Sequence, residues 1–529
     1  MRCMVNTTDL ENLSAPQLRE MSRDLIDKLL EQERKIAQDA GSIEALQSEI
    51  LFKSTRIDQL TYELARYKRL RFDRSSEQLD AAQANLLEET LDADLAAIEE
   101  ELEQLQPTEP AKKDKNKPRR EALPAHLPRV QVHHEPESAS CACGCELKRI
   151  GEDIAEKLAY EPGVFTVERH IRGKWACAKC QTLIQAPVPA QVIDKGIATA
   201  GLLAQVMVAK YADHLPLYRQ EAIFGRAGYA IPRSTLGEWV GACGVQLQPL
   251  VDALRGTVLG HQVLHADETP VAMLKPGNGK THRAYLWAYS PGAFEDVKAV
   301  IYDFTETRSG KNAEAFLGAW RGKLVCDDYS GYKATIAKGV TECGCLAHAR
   351  RKFFDLHANN NSQVAGDALK FFGQLYEVER ELQDLDAEAR RQVRQAKAKP
   401  VADALHAWMI AHRLKVPDGS AIAKALDYSL TRWTALARYL DDGALPPDNN
   451  HIENQMRPIA VGRSNWLFAG SLRAGQRAAA IMSLIQSAKM NGHDPYAYLK
   501  DIFTRLPTQP DSKIEELLPH RWKPATPRH

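Results

Sequence analysis

Three acidic positions are the first residues whose types and spacing could do chemistry. In residues 263–274 (VLHADETPVAML), apolar runs flank the pair Asp267-Glu268, the pattern of a strand that delivers a carboxylate into apolar surroundings. A carboxylate desolvated in that way needs a cation. Residues 323–332 (KLVCDDYSGY) form a second apolar run ending in acid, Asp327-Asp328. In residues 448–462 (DNNHIENQMRPIAVG), Asn450, Glu453 and Arg457 share one helix face, while Ile452, Met456 and Ile459 form the adjoining apolar face. Two strand-borne acids and one helix-borne acid can converge on a site for Mg²⁺ (or Mn²⁺), whose hard character suits oxygen ligands. Paired ions held by three carboxylates activate an attacking oxygen and stabilise the leaving oxygen of an in-line phosphoryl displacement.

A second donor set lies between residues 141 and 180. Cys177 and Cys180 have the two-residue spacing that lets two thiolates share one tetrahedral Zn²⁺. Cys141, Cys143 and Cys145 compete for the other two positions, and Cys141 and Cys143 are assigned here. Five of the ten cysteines fall in these two clusters, which favours a zinc ribbon over a disulfide framework. Cys343 and Cys345 read as reduced core residues. Behind the second acid, His348, Arg350, Arg351 and Lys352 put cationic charge on a helix, a face suited to double-stranded DNA phosphates. Arg457, one turn beyond Glu453, either contacts DNA or pairs with a carboxylate. Arg463 and Trp466 are placed to position a strand end, with burial as the alternative for Trp466.

These residues need elements to position them, and 529 residues exceed what one core can bury. Net charge is zero, yet it is segregated: residues 66–74 carry five basic side chains to one acidic, residues 112–120 six to one, and residues 88–105 eight acidic and none basic. No signal-like segment opens the chain, and the longest apolar-rich run, residues 200–209, is too short to span a bilayer, so a cytoplasmic, nucleoid-associated protein without a membrane partner is expected. Leu29, Ile36, Ile43, Ile50, Ile57 and Leu64 recur every seven residues, which predicts a coiled coil and a homo-oligomer. An acidic helix follows, its apolar stripe running from Leu87 to Leu105 and its charged face read as solvated. Residues 107–128 read as a basic linker. Residues 216–241 have the outline of a helix-turn-helix: a helix ending at Gly228, a turn, and a second helix capped by Ser234. From residue 263, three strand-like segments precede alternating helix and strand, the order of a ribonuclease H-like fold.

The segments HADETPV, DDYSGY, CLAHARRKFFD and NNHIENQMRPIAVGRSNWLFAGS, with RFDRSSEQLD, the cysteine ribbon running into RIGED, and LLAQVMVAKYADHLPLYRQEAIFGRAG, together resemble the insertion sequence 66 family of D-D-E transposases over nearly the whole chain. The resemblance implies Asp267, Asp327 and Glu453 as the metal-binding triad. Asp328 stands where the family commonly has glycine, which leaves Asp327 and Asp328 as alternatives for the second acid. It also implies DNA cleavage at element ends, strand transfer into target DNA, and accessory proteins encoded by the same element. A nuclease without strand transfer, or a catalytically silent zinc-dependent DNA-binding regulator, are the competing readings.

The expected architecture is multidomain α+β. It comprises a helical coiled-coil region at 15–106, the linker at 107–128, a zinc ribbon at 129–190 and a helical DNA-binding domain at 191–258. A ribonuclease H-like core at 259–358 and 442–506 follows, split by a helical insertion at 359–441, with a loose tail at 507–529.

Overall fold

The computed structural model describes residues 15–72, 81–105, 123–136, 138, 140, 145–161, 163–275, 281–360 and 362–524. Cys141, Cys143 and the basic run at 112–120 lie outside the described residues. Two compact units partition the chain: one takes the described residues up to Arg69 together with 101–105, the other takes the rest. No helix among the described residues is long and apolar enough to cross a membrane.

In the first unit, helix α1 (Ala15–Phe72) runs for 58 residues. Its heptad positions Leu29, Ile36, Ile43 and Ile50 are between 55% and 68% exposed, whereas Leu60 and Tyr67 are buried. Helix α2 (Ala81–Leu105) supplies Glu101, which pairs with Arg56 at 2.9 Å.

The second unit begins with the rest of α2, whose Leu95 and Ile98 are buried as their spacing requires. Its acidic face departs from the expectation of a solvated surface. Asp94 is fully buried, receives a hydrogen bond from the Ser471 hydroxyl, and pairs with the guanidinium of Arg477 at 3.0 Å. A carboxylate survives burial only when its oxygens are satisfied in this way.

A small sheet follows, made of β1 (Arg129–His134), β2 (Leu147–Glu161), β3 (Val164–Cys177) and β4 (Leu183–Gln185). Its order is β1-β3-β2, with β4 paired to β3. Alternation along β3 buries Phe165, Val167 and Ile171.

Four helices come next: α3 (Ala200–Tyr211), α4 (Leu217–Arg226), α5 (Arg233–Gln246) and α6 (Gln248–Leu259). The helix–turn–helix outline is present in α4 and α5, but Ser234 is not the cap. α5 starts at Arg233 behind Pro232, whose ring presets φ at −56°, and Glu221 of α4 accepts the Arg233 N–H at 3.3 Å. Leu236, Trp239, Val240 and Cys243 are buried, so α5 is a core helix along most of its length.

The central sheet comprises β5 (Val263–Met273), β6 (His282–Pro291) and β7 (Ile301–Thr305), then β8 (Lys323–Val325) and β9 (Thr341–Cys343), with α7 (Gly310–Leu317) and α8 (Lys333–Ala337) between β7 and β9. The order is β7-β6-β5-β8-β9; β5, β6 and β7 are antiparallel neighbours, while β5-β8 and β8-β9 are parallel. α9 (Leu346–Asn360) follows, then α10 (Gln363–Arg380), α11 (Ala387–Val393), α12 (Lys399–Arg413), α13 (Ala421–Thr431) and α14 (Trp433–Ala437). From α10 to α14 the described residues carry no strand, as read for 359–441, and α9 to α14 share a core with Val263 and Val325 of the sheet.

α15 (Asn450–Trp466) returns to the sheet, followed by α16 (Leu472–Met490) and α17 (Pro495–Arg505). Ser483 and Ser487 of α16 accept the backbone N–H groups of Tyr302 and Val300 at 2.8 and 2.9 Å, satisfying donors along the β7 edge. The expected loose tail is packed as far as Trp522. Leu517 and Leu518 are fully buried, and the Trp522 indole donates to Asp501 at 2.7 Å, because three large apolar side chains close over α17.

Asp94→Ala leaves the Arg477 guanidinium buried without its counter-ion. A loss of about 3–5 kcal/mol is expected, read as a lower urea midpoint at unchanged slope.

Candidate active site and metal-ligating residues

Strand pairing places the first two acids. β5 and β8 run parallel with His265 opposite Val325 as the last register pair, and Asp267 and Asp327 each stand two residues further on. The two carboxylates therefore lie at equivalent register positions on neighbouring strands, Asp267 midway along β5 and Asp327 just past the end of β8. Alternation along β5 puts His265, Asp267 and Thr269 on one face and Glu268 on the other. Glu268 is paired there: the Arg308 guanidinium donates to it at 2.9 Å and the Tyr332 hydroxyl at 3.0 Å. Strand geometry thus separates two neighbouring acids that the sequence presents together.

α15 brings the third acid to the Asp267 face. Just before its first residue, the buried Asn449 side chain donates to the Ala266 carbonyl at 2.9 Å and accepts from His265 Nδ1 at 2.7 Å. Near the other end, Arg463 donates to the Pro270 carbonyl at 2.7 Å. Between these braces Ile452, Met456 and Ile459 are buried, each stabilising the contact by about 1.5–3 kcal/mol. Leu467 turns the chain in the left-handed region (φ 59°), and Ala469 then pairs with Ala272 and Leu274 beyond the acids.

Burial, and then the charges of Glu268, Asp327 and Glu453, push the Asp267 carboxyl up to about 7. Asp327 caps its own turn by accepting the Tyr329 N–H at 3.0 Å. Its neighbour Asp328 faces elsewhere, paired with Arg432, which also holds Glu342 at 2.6 Å. Arg432 belongs to the helical insertion, and no local pattern marked it.

Glu453 lies within electrostatic reach of Asp267 but leans toward α9, 3.7 Å from His348 and 3.5 Å from Arg351. Its Oε1 is buried with no hydrogen-bond partner. A buried carboxyl held near neutrality and an unpartnered carboxylate oxygen are the features a divalent cation would satisfy, and oxygen donors fit Mg²⁺ or Mn²⁺.

The remaining expected residues fall into distinct surroundings. Arg350, Arg351, Lys352 and Arg457 are exposed. Lys352 also lies 4.4 Å from the centre of the Tyr428 ring. Arg463 is half-buried and serves as the brace just described, so its contact is structural. In the small sheet, Cys177 is buried in a cluster with Leu147 and Cys145, while Cys180 is exposed. Cys343 and Cys345 are buried, as read from the sequence.

Burial pushes the His265 imidazole down to about 3, so it stays neutral across the working range. The unfolded chain takes up a proton near 6.5 that the folded chain refuses until about 3. Stability from the neutral ring is therefore complete above about pH 6.5 and is lost as pH falls. His265→Leu is expected to flatten the acid limb of the stability–pH curve by one proton relative to the wild type. Asn449→Ala is expected to cost about 1–3 kcal/mol in chemical denaturation, since it strands buried partners on β5.

Comparison with known proteins places the chain by family. The family model described as "Transposase IS66 family" matches residues 195–477, and "IS66 C-terminal element" matches 483–520. "Zinc-finger binding domain of transposase IS66" matches 138–181, and "Transposase C of IS166 homeodomain" matches 59–132. Relatives in Sinorhizobium fredii (strain NBRC 101917 / NGR234) include Uncharacterized protein y4qI, 36% identical over 93% of this chain and 94% of its own length. Uncharacterized protein y4jD is 39% identical over 76% of this chain and 81% of its own. With the central model covering more than half of its length, the chain belongs to the IS66 family of transposases.

Proposed function

We propose that the chain is a D-D-E DNA transposase with a ribonuclease H-like core, which cleaves phosphodiester bonds at insertion-sequence ends and joins the freed 3′-hydroxyl to target DNA. The observation that carries this reading is the equivalent register of Asp267 on β5 and Asp327 just past β8, with Glu453 within electrostatic reach. The sheet order, with one antiparallel arm and one parallel arm around β5, supports the fold assignment.

In this reading Asp267, Asp327 and Glu453 hold Mg²⁺ or Mn²⁺, which when bound supplies Lewis-acid activation at the phosphodiester. Asp267 gives up its proton on loading. Arg308 keeps the charge of Glu268 compensated beside the site, and Arg432 keeps Asp328 out of it. Exposed Arg350, Arg351, Lys352 and Arg457 hold the DNA backbone. Cys177 and Cys180, with two of Cys141, Cys143 and Cys145, hold Zn²⁺ in a ribbon that helps recognise element ends; the packing of Cys145 beside Cys177 favours including Cys145. The exposed face of α1 at Leu29, Ile36, Ile43 and Ile50 pairs with a second copy, and accessory proteins of the same element assist.

With labelled element ends and Mg²⁺, the wild type is expected to nick at the end and join the 3′ end to a second duplex. Asp267→Asn should lose at least about 10³-fold in rate, since several kcal/mol of charge stabilisation is removed. The same variant should be more stable without metal by about 1–2 kcal/mol, because a costly buried charge is gone. Activity of the wild type at limiting Mg²⁺ should rise with pH up to about 7 and then level, as Asp267 ionises. Nicking without joining would reassign the chain as a nuclease. Arg350→Ala is expected to weaken DNA binding and to reduce the salt slope of log K by about 0.9, measured by fluorescence anisotropy across a salt series.

A further inference from the structure

The turn toward α9 gives Glu453 a second set of neighbours. Cys345 immediately precedes α9, and His348 lies in its first turn. The Cys345 sulfur, a His348 ring nitrogen and a Glu453 carboxylate oxygen all lie within 4.8 Å of one another. Cys345 is 1% exposed, and its sulfur accepts the Asn449 N–H at 3.2 Å. His348 Nδ1 and Glu453 Oε1 are both buried and have no hydrogen-bond partner, although they face each other at 3.7 Å. Two polar atoms left this way are costly unless a shared partner fits between them. Thiolate, imidazole and carboxylate together are a donor set for Zn²⁺, whereas Mg²⁺ takes oxygen.

We propose that Cys345, His348 and Glu453 form a site for a zinc-type divalent ion, and that filling it holds Glu453 on the α9 side, away from Asp267 and Asp327. Binding releases the Cys345 thiol proton to solvent and leaves the sulfur as a thiolate ligand. The fourth tetrahedral position stays open to water. Zinc then competes with magnesium for one shared carboxylate. The ligand set stands by itself; its effect on catalysis rests on the function proposed above.

The test counts zinc in the full-length protein by competition with a chromophoric chelator, without magnesium. Wild type, Cys345→Ser and His348→Gln are compared, with thermal melts as the folding control. Serine retains an acceptor for the Asn449 N–H, and His348 is partly exposed, so at least one variant should fold. The wild type is expected to bind one zinc more than either variant, or to bind it at least about tenfold more tightly. Equal stoichiometry and affinity in the three proteins overturns the site. In a parallel arm, zinc is added to magnesium-driven cleavage of element ends. Inhibition that needs at least about tenfold more zinc in Cys345→Ser supports the shared carboxylate. Equal inhibition in both proteins overturns it. Absence of cleavage in the wild type overturns the proposed function and leaves the zinc count to decide the site.

Discussion

The candidate site depends on one amide. Asn449 is buried just before α15 and bonds to two consecutive residues of β5, through the Ala266 carbonyl and the His265 ring. Helix and sheet cannot slide past each other without breaking both bonds, and broken partners would be left without water. This fixes the register of α15 on β5, and four positions on from Asn449, one helical turn along, is Glu453. The arrangement works only while His265 donates through Nδ1, and its depressed pKa keeps the opposite nitrogen unprotonated. Stability and placement of the third acid are thus carried by the same pair of hydrogen bonds.

Around this brace the acids are differentiated by their partners. Asp267 is desolvated among like charges and sits near neutrality, Glu268 is compensated by Arg308, and Asp328 is drawn off by Arg432. Five carboxylates share one region, and the guanidinium groups of Arg308 and Arg432 pair with Glu268 and Asp328. Arg432 comes from the helical insertion, so that segment does more than lengthen the chain between the second and third acids. It shares a hydrophobic core with the sheet and pairs with Asp328, one of the two adjacent aspartates, through Arg432.

Much of this was legible in residue patterns. Period-two alternation in β5 and the i, i+3, i+7 face of α15 located the acids and the buried stripe of Ile452, Met456 and Ile459, because both signals are local. What stayed hidden was set by partners distant in sequence. The acidic face of α2 reads as solvated until Arg477 is placed beside Asp94, and Ser234 reads as a cap until Glu221 is seen to satisfy the start of α5. Leu517, Leu518 and Trp522 have no period that would mark them as core, since a short segment packing onto an existing helix needs none. Glu453 was legible as a candidate ligand, but its approach to His348 and Cys345 was not, because the helical insertion separates α9 from α15 in sequence.

The serines of α16 that bond to the backbone of β7 carry a consequence for assembly. An open sheet margin is an invitation to another chain's strand, and here two of that margin's donors, at Val300 and Tyr302, are already engaged by Ser487 and Ser483. Copies of this protein therefore cannot fuse their sheets across this side. Across this side, a union of protomers must instead be made by side chains, through surfaces whose sequence can tune who joins whom.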